Sequence, residues 1–315
     1  MIKLKLVRFV SPTSGKAVIG VLIDNDKVID LNLGFTHFSK KQGEDKDKCI
    51  AESVNELLVK YSEKREVINK VIEFVEKRTD VFGTIMFNLG DVRLLSPLDT
   101  VRKIIGLAGN YKTHGPSKKP ERPLLFSKNP GTGIVEPNQE IVVPDTIEKL
   151  DYEIELGVVI GKKGRFIPFD KAYDHVGGYT VFNDVCDRYF LSSPRDWYGM
   201  KAQDNFSVFG PCVQTEVTDP HNLKIRLKVN DELRQDGNTE DMHFTIPELI
   251  QFISGLVTLE PGDIIATGTC FGTAMERERE GTSCWLKDGD IIEAEIEQIG
   301  LLNNVIKVVK PIYEC

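Results

Sequence analysis

A chain of 315 residues has room for two domains at ~100–200 residues each, or for one large domain with an appendage. Hydrophobic residues make up 41% and charged residues 28%, with 26 Gly and 15 Pro, a balance that excludes collagen-like and wholly disordered chains. The net charge of −8 supplies no electrostatic pull toward nucleic acid or anionic membrane, so a small-molecule partner is expected, with no nucleic acid and no membrane.

Two apolar runs open the chain, residues 3–9 and 17–31, the second broken at Asp24-Asn25-Asp26 as a tight turn between paired strands would be. After the polar stretch 39–48, residues 50–78 place Val54, Leu57, Leu58, Tyr61, Ile68, Val71, Ile72 and Phe74 at helical spacing among charges. One long helix or two short ones would cover a small sheet. A proline-bearing connector at Ser96-Pro97 sets the expected boundary between a small N-terminal α/β domain, 1–96, and a second domain, 97–315.

From Ile104 onward short strands dominate: 124–127, 141–143, 152–160, 179–182, 225–229, 264–266, 291–299 and 305–309. The clearest helix is 245–257, where Thr245 and Glu248 form a capping box and Ile246, Leu249, Ile250, Ile253 and Leu256 form an apolar stripe. The class expected is therefore α+β and β-rich. The start, MIKLKLVRFVSPTSG, has no signal-peptide core, and no apolar run approaches the ~20 residues of a membrane helix, so a cytoplasmic location is expected. Cys49, Cys186, Cys212, Cys270, Cys284 and Cys315 contain no C-x-x-C pair and read as free thiols.

Two stretches carry groups fit for chemistry. In KLDYEIELGVVIG, residues 149–161, strand alternation puts two or three of Asp151, Glu153 and Glu155 on one face. A solvated outer face is the plain reading of such a pattern. The apolar continuation instead suggests burial on both sides, and buried neighbouring carboxylates repel unless a cation or proton compensates them. In GYTVFNDVCDR, residues 178–188, Asp184 closes an apolar strand and Arg188 follows four residues on. Three carboxylates and water suit Mg²⁺ or Mn²⁺, whereas an ion pair of Arg188 with Asp184 or Asp187 is the simpler alternative.

These residues lie in a longer pattern. Asn110-Tyr111-x-x-His114, 123–128 (PLLFSK), 151–156 (DYEIEL), Asn183-Asp184-x-x-x-Arg188, Lys201 followed by Gly210-Pro211, 229–235 (VNDELRQ) and 262–269 (GDIIATGT) occur in the order of the fumarylacetoacetate hydrolase family, which the chain resembles from about 100 to 310. The first ~95 residues look like the appended domain of its longer members. The resemblance implies a mixed β-sandwich or roll for the C-terminal part, a homodimer formed through it, and a divalent cation, Mg²⁺ or Mn²⁺ with Ca²⁺ as a further option, held by Glu153, Glu155 and Asp184.

The resemblance also implies that Lys201 steadies an oxyanion, that His114 is the general base, that Arg188 and Thr269 hold the substrate's carboxylate, and that Lys128 supports the substrate site or its loop. It implies a metal-dependent hydrolase or lyase acting on a 2-oxo acid, with hydrolysis of the C–C bond of an acylpyruvate through an enolate held at the cation as the leading reaction. The alternatives are an oxaloacetate-type decarboxylase, a 2-hydroxyhepta-2,4-diene-1,7-dioate-type isomerase, a 2-oxo-3-deoxy sugar acid dehydratase, or a non-catalytic metal- and ligand-binding regulatory protein. Three positions depart from the family pattern. Ser117 stands where many members have the glutamate that orients the histidine, so either another acid supplies that charge or activation of water is altered. Leu191 stands for a glutamine and Cys270 for a proline, which points to a smaller or less polar substrate on that side.

Overall fold

A computed structural model describes residues 4–43, 49–191 and 196–311. Cys315, and residues 44–48 of the polar stretch, lie outside them. The chain opens on β1 (Lys5–Val10), β2 (Ala17–Ile23) and β3 (Lys27–Asp30), with Asp24 and Asn25 in the left-handed region at the expected turn. Helix α1 (Leu31–Lys41) follows, then α2 (Val54–Val59) and α3 (Tyr61–Glu76), so the helical stretch is two helices and a third precedes it. Short strands β4 (Met86–Asn88) and β5 (Arg93–Leu95) lead to the connector.

Beyond it run β6 (Ile104–Ala108), β7 (Leu124–Lys128), β8 (Ile134–Val135), β9 (Glu140–Pro144), β10 (Leu150–Asp151), β11 (Ile154–Ile160), β12 (Val176–Asp184), β13 (Cys186–Asp187), α4 (Trp197–Lys201) and β14 (Ser207–Gln214). The last elements are β15 (Lys224–Val229), β16 (Glu232–Asn238), α5 (Ile246–Leu256), β17 (Ile264–Thr269), α6 (Ala274–Arg279), β18 (Ile291–Ile296) and β19 (Gly300–Val309). The capping box starts α5 as expected, and Ile246, Leu249, Ile250 and Ile253 are buried, but Leu256 at the end of the stripe is exposed.

The long sheet is ordered β4-β3-β2-β1-β14-β12-β11-β17-β6-β7, with β5 on β1 and β8 on β14; a five-stranded sheet, β16-β15-β18-β19-β9, packs against it. Most ladders are antiparallel, but β17 with β6, β14 with β8 and β19 with β9 are parallel. This is the α+β, β-rich class, built as stacked sheets. One core cluster joins the two sheets through Leu156, Val158 and Val181 with Ile225, Leu227 and Ala294. A second joins Val54, Leu57, Val71 and Val75 of the early helices to Val159, Phe182, Phe209 and Val213 of the central strands. Strands from both sides of residue 96 therefore share one sheet, joined where β1 pairs with β14. Among the described residues no helix is long and apolar enough to cross a membrane.

Candidate active site

The seven residues of β11 are buried throughout, as the apolar run implied. The expected strand 152–160 is interrupted near its start: Asp151 pairs with β13, and the ladder resumes at Ile154 opposite Asn183 of β12. At the break, Glu153 N–H donates to Asn183 Oδ1 at 3.1 Å, Asp184 N–H donates to the Glu153 carbonyl at 2.8 Å, and Ile154 N–H donates to Gln235 Oε1 at 2.9 Å. This stitching brings Glu153, Glu155 and Asp184, all buried, to a point where one oxygen of each lies within 4.8 Å of the others. Asp151 takes another course. Its carboxylate accepts from Ala274 N–H (2.7 Å) and Met275 N–H (3.2 Å) at the start of α6, so two carboxylates of the run share the cluster and the third does not.

Three buried cations compensate these acids. Lys201, at the end of α4, donates to Glu153 Oε2 at 2.7 Å and to Asp184 Oδ2 at 2.6 Å. Lys128 of β7 pairs with Asp184 Oδ1 and donates to the Val185 carbonyl at 3.0 Å. Arg188 pairs with Asp151 Oδ2 at 2.8 Å and with Glu153 Oε1, and with neither Asp184 nor Asp187, which corrects the simpler expectation for it. Burial opposes ionisation of Glu153, but the charges of Lys201 and Arg188 outweigh it and hold that carboxyl well below its usual range. Glu155 goes the other way. Burial raises its pKa, and the Asp184 and Glu153 carboxylates raise it further.

Glu155 Oε2 accepts from Gly268 N–H at 2.8 Å, while Oε1 is buried and has no hydrogen-bond partner. A buried carboxylate oxygen left unpaired among acidic neighbours is the donor chemistry that a hard divalent cation satisfies, and these residues fit one.

His114 lies on the loop after β6, and its Nδ1 stands 2.7 Å from Glu276 Oε1. Glu276 is itself fixed by the turn before α6, its Oε2 accepting from Gly272 N–H at 2.9 Å and Thr273 N–H at 3.2 Å. Its pKa is lowered although burial works the other way, because the adjacent His114 ring donates to it and attracts it. The acid missing at position 117 is thus supplied from across the chain, and Ser117 is exposed. Sequence reasoning passed over Glu276; the T-x-x-E spacing of Thr273 and Glu276 was the available signal, since it marks a helix start.

Glu153, Arg188, Lys201, Thr269 and His114 face one cavity of about 410 Å³, whose walls include Leu191 at the position of the departed glutamine. The Thr269 hydroxyl is engaged in the framework, donating to the Ile154 carbonyl at 2.7 Å and accepting from Gln235 Nε2 at 2.8 Å. Cys270 packs behind the cavity wall, 3.9 Å from Gln235 Nε2, with its thiol pushed up to about 12 by burial. Gln235, a second residue whose role was not anticipated, ties β16 to the backbone between the two glutamates.

Comparison with known proteins places this geometry. Residues 103–307 match the family model described as fumarylacetoacetate (FAA) hydrolase C-terminal. The oxaloacetate tautomerase YisK of Bacillus subtilis is 35% identical over 301 residues, covering 91% of this chain and 95% of that protein. The solved structure of a fumarylacetoacetate hydrolase from Exiguobacterium antarcticum superposes with a TM-score of 0.76 at 30% identity, covering 97% of this chain and 100% of that one. A maleylpyruvate hydrolase from Sphingobium sp. SYK-6, in complex with manganese(II) and pyruvate, gives 0.73 at 29% identity with the same coverage.

Proposed function

The chain belongs to the fumarylacetoacetate hydrolase family, a family of enzymes, and on that premise we propose that it transfers a proton at C3 of a 2-oxo acid of oxaloacetate type, interconverting keto and enol forms. The observation that carries this reading is the His114–Glu276 pair on a cavity it shares with Lys201. With Nδ1–H donated to the Glu276 carboxylate, the ring keeps a lone pair on Nε2, the atom that takes the proton from carbon and returns it. Lys201 supplies a fixed ammonium to the oxygen on which negative charge develops. Glu153, Glu155 and Asp184 would hold Mg²⁺ or Mn²⁺, which when bound polarises the 2-oxo group and turns an inner pocket of slightly acidic balance into one that attracts a single carboxylate. Arg188, paired with Asp151 and Glu153, fixes the position of Glu153.

A relative that matches 91% of the chain at 35% identity is an oxaloacetate tautomerase, which supports the choice of reaction. Hydrolysis of an acylpyruvate-type substrate is the second reading, supported by the maleylpyruvate hydrolase likeness. It requires the same histidine to activate a water, and Leu191 on the wall offers that water no hydrogen bond. The test follows the absorbance of enol-oxaloacetate with Mg²⁺ or Mn²⁺ present, beside an acylpyruvate panel. Acceleration over buffer that His114→Ala abolishes is expected; cleavage of acylpyruvates without that acceleration would replace the first reading by the second.

A further inference from the structure

Three cations line the cavity: Lys201, Arg188 and Arg279. Lys201 and Arg188 are buried and spend their charge on Glu153, Asp184 and Asp151. Arg279, the last residue of α6, is exposed and has no acidic or hydrogen-bonding partner among the described residues. Its neighbours are committed elsewhere, Arg277 to Glu232 at 2.9 Å and Lys149 to Glu278 at 3.8 Å. Arg279 also borders a recess beside the cavity, lined by His114 and Glu276, so it stands at the mouth one helical turn from the carboxylate that orients the histidine.

Between the buried cationic end and this exposed one the wall is apolar, made by Leu124, Phe126, Leu191, Trp197, Met200 and Met275, with the Phe126 and Trp197 rings stacked 5.4 Å apart. Such a wall suits carbon better than a polar chain. The inner end is matched to one carboxylate, so a second anionic group must find its counter-charge farther out.

We propose that Arg279 is a specificity-determining residue that pairs with a second carboxylate at the far end of the substrate, so that the cavity selects 2-oxo dicarboxylates over 2-oxo acids with neutral tails. The proposal rests on the reading of the inner end as a 2-oxo acid site. A guanidinium left unpaired at a pocket mouth can take a carboxylate through two parallel N–H···O bonds, geometry that an ammonium does not reproduce. A cavity of about 410 Å³ has room for diacids longer than oxaloacetate, with the added carbons against the apolar wall.

Calorimetric titration of Mg²⁺-loaded protein with 2-oxoglutarate and with 2-oxopentanoate, a matched pair differing in the terminal carboxylate, tests this without turnover. Wild-type protein should bind the diacid more tightly. Arg279→Leu should weaken the diacid by about tenfold and leave the monoacid unchanged, Arg279→Lys should recover part of the loss, and added salt should narrow the gap between the acids. The substituted side chain is exposed and unpaired, so the melting temperature should not move. Equal wild-type affinity for the two acids, or an equal loss for both on Arg279→Leu, overturns this proposal alone; binding of neither acid overturns it together with the 2-oxo acid reading.

Discussion

Glu276 lies 162 residues beyond His114, yet its carboxylate stands 2.7 Å from the ring's Nδ1. Glu276→Gln keeps the shape and removes the charge that makes the ring a good base. A fall in kcat of ~10²-fold with a smaller change in KM is expected, general acid–base assistance being worth ~10²–10⁴. Ser117→Glu should leave the ratio of acylpyruvate hydrolysis to oxaloacetate turnover unchanged, because His114 Nδ1 already has a carboxylate partner. The same residue predicts a sign for acid stability. Its folded pKa lies below the unfolded one, so its contribution is present above the unfolded value and is lost as pH falls through the folded value. Denaturant midpoints measured from neutral pH into acid should accordingly fall less steeply for Glu276→Gln than for wild type. The individual acids were legible in sequence because each sits in a motif. The partner of His114 was not, since only the fold brings α6 to the loop after β6.

Asp151 ties elements together. It accepts the first N–H groups of α6 and grips Arg188, which in turn holds Glu153, so one carboxylate joins the helix bearing Glu276 to the strand bearing a candidate metal ligand. Removing one partner from a buried ion pair strands the other, and Asp151→Ala should therefore destabilise the protein by about 3 kcal/mol, read from urea unfolding. Most strands were legible from short apolar runs bounded by turns. Helix α1 was obscured: Leu31, Phe35 and Phe38 recur at helical spacing and pack into the core, but Gly34 and Ser39 fill its other buried positions; Gly34 lets the helix close on Val71 and Val75 of α3. The break at Tyr152 was equally hidden, since alternation continues unbroken through it while the hydrogen-bond partner changes.

For the whole molecule, a cation that binds only the folded state adds RT ln(1 + [L]/Kd) of stability, ~2.7 kcal/mol at one hundred times Kd, so chelation should lower the melting temperature. Glu155→Gln should abolish the Mg²⁺-dependent shift with little change in the metal-free melting temperature, because Gly268 N–H keeps an acceptor. Asp184→Ala should lower the metal-free value as well, since it leaves Lys128 and Lys201 short of a buried counter-charge. The resemblance further implies a homodimer, which light scattering at micromolar concentration would contradict by returning a 35.4 kDa particle.

The early helices cover one face of the central strands, and this has a consequence for any shortened form of the chain. Without residues before Pro97, Val159, Phe182, Phe209, Val213, Ile264 and Ala266 would present a continuous greasy surface to water, and β14 would lose its ladder to β1. Sticky faces and bare strand edges recruit copies of themselves. A polypeptide started at Pro97 should accumulate as insoluble aggregate, and polar substitutions confined to Phe209 and Val213 should restore part of its solubility, as sedimentation of the expressed fragment would record.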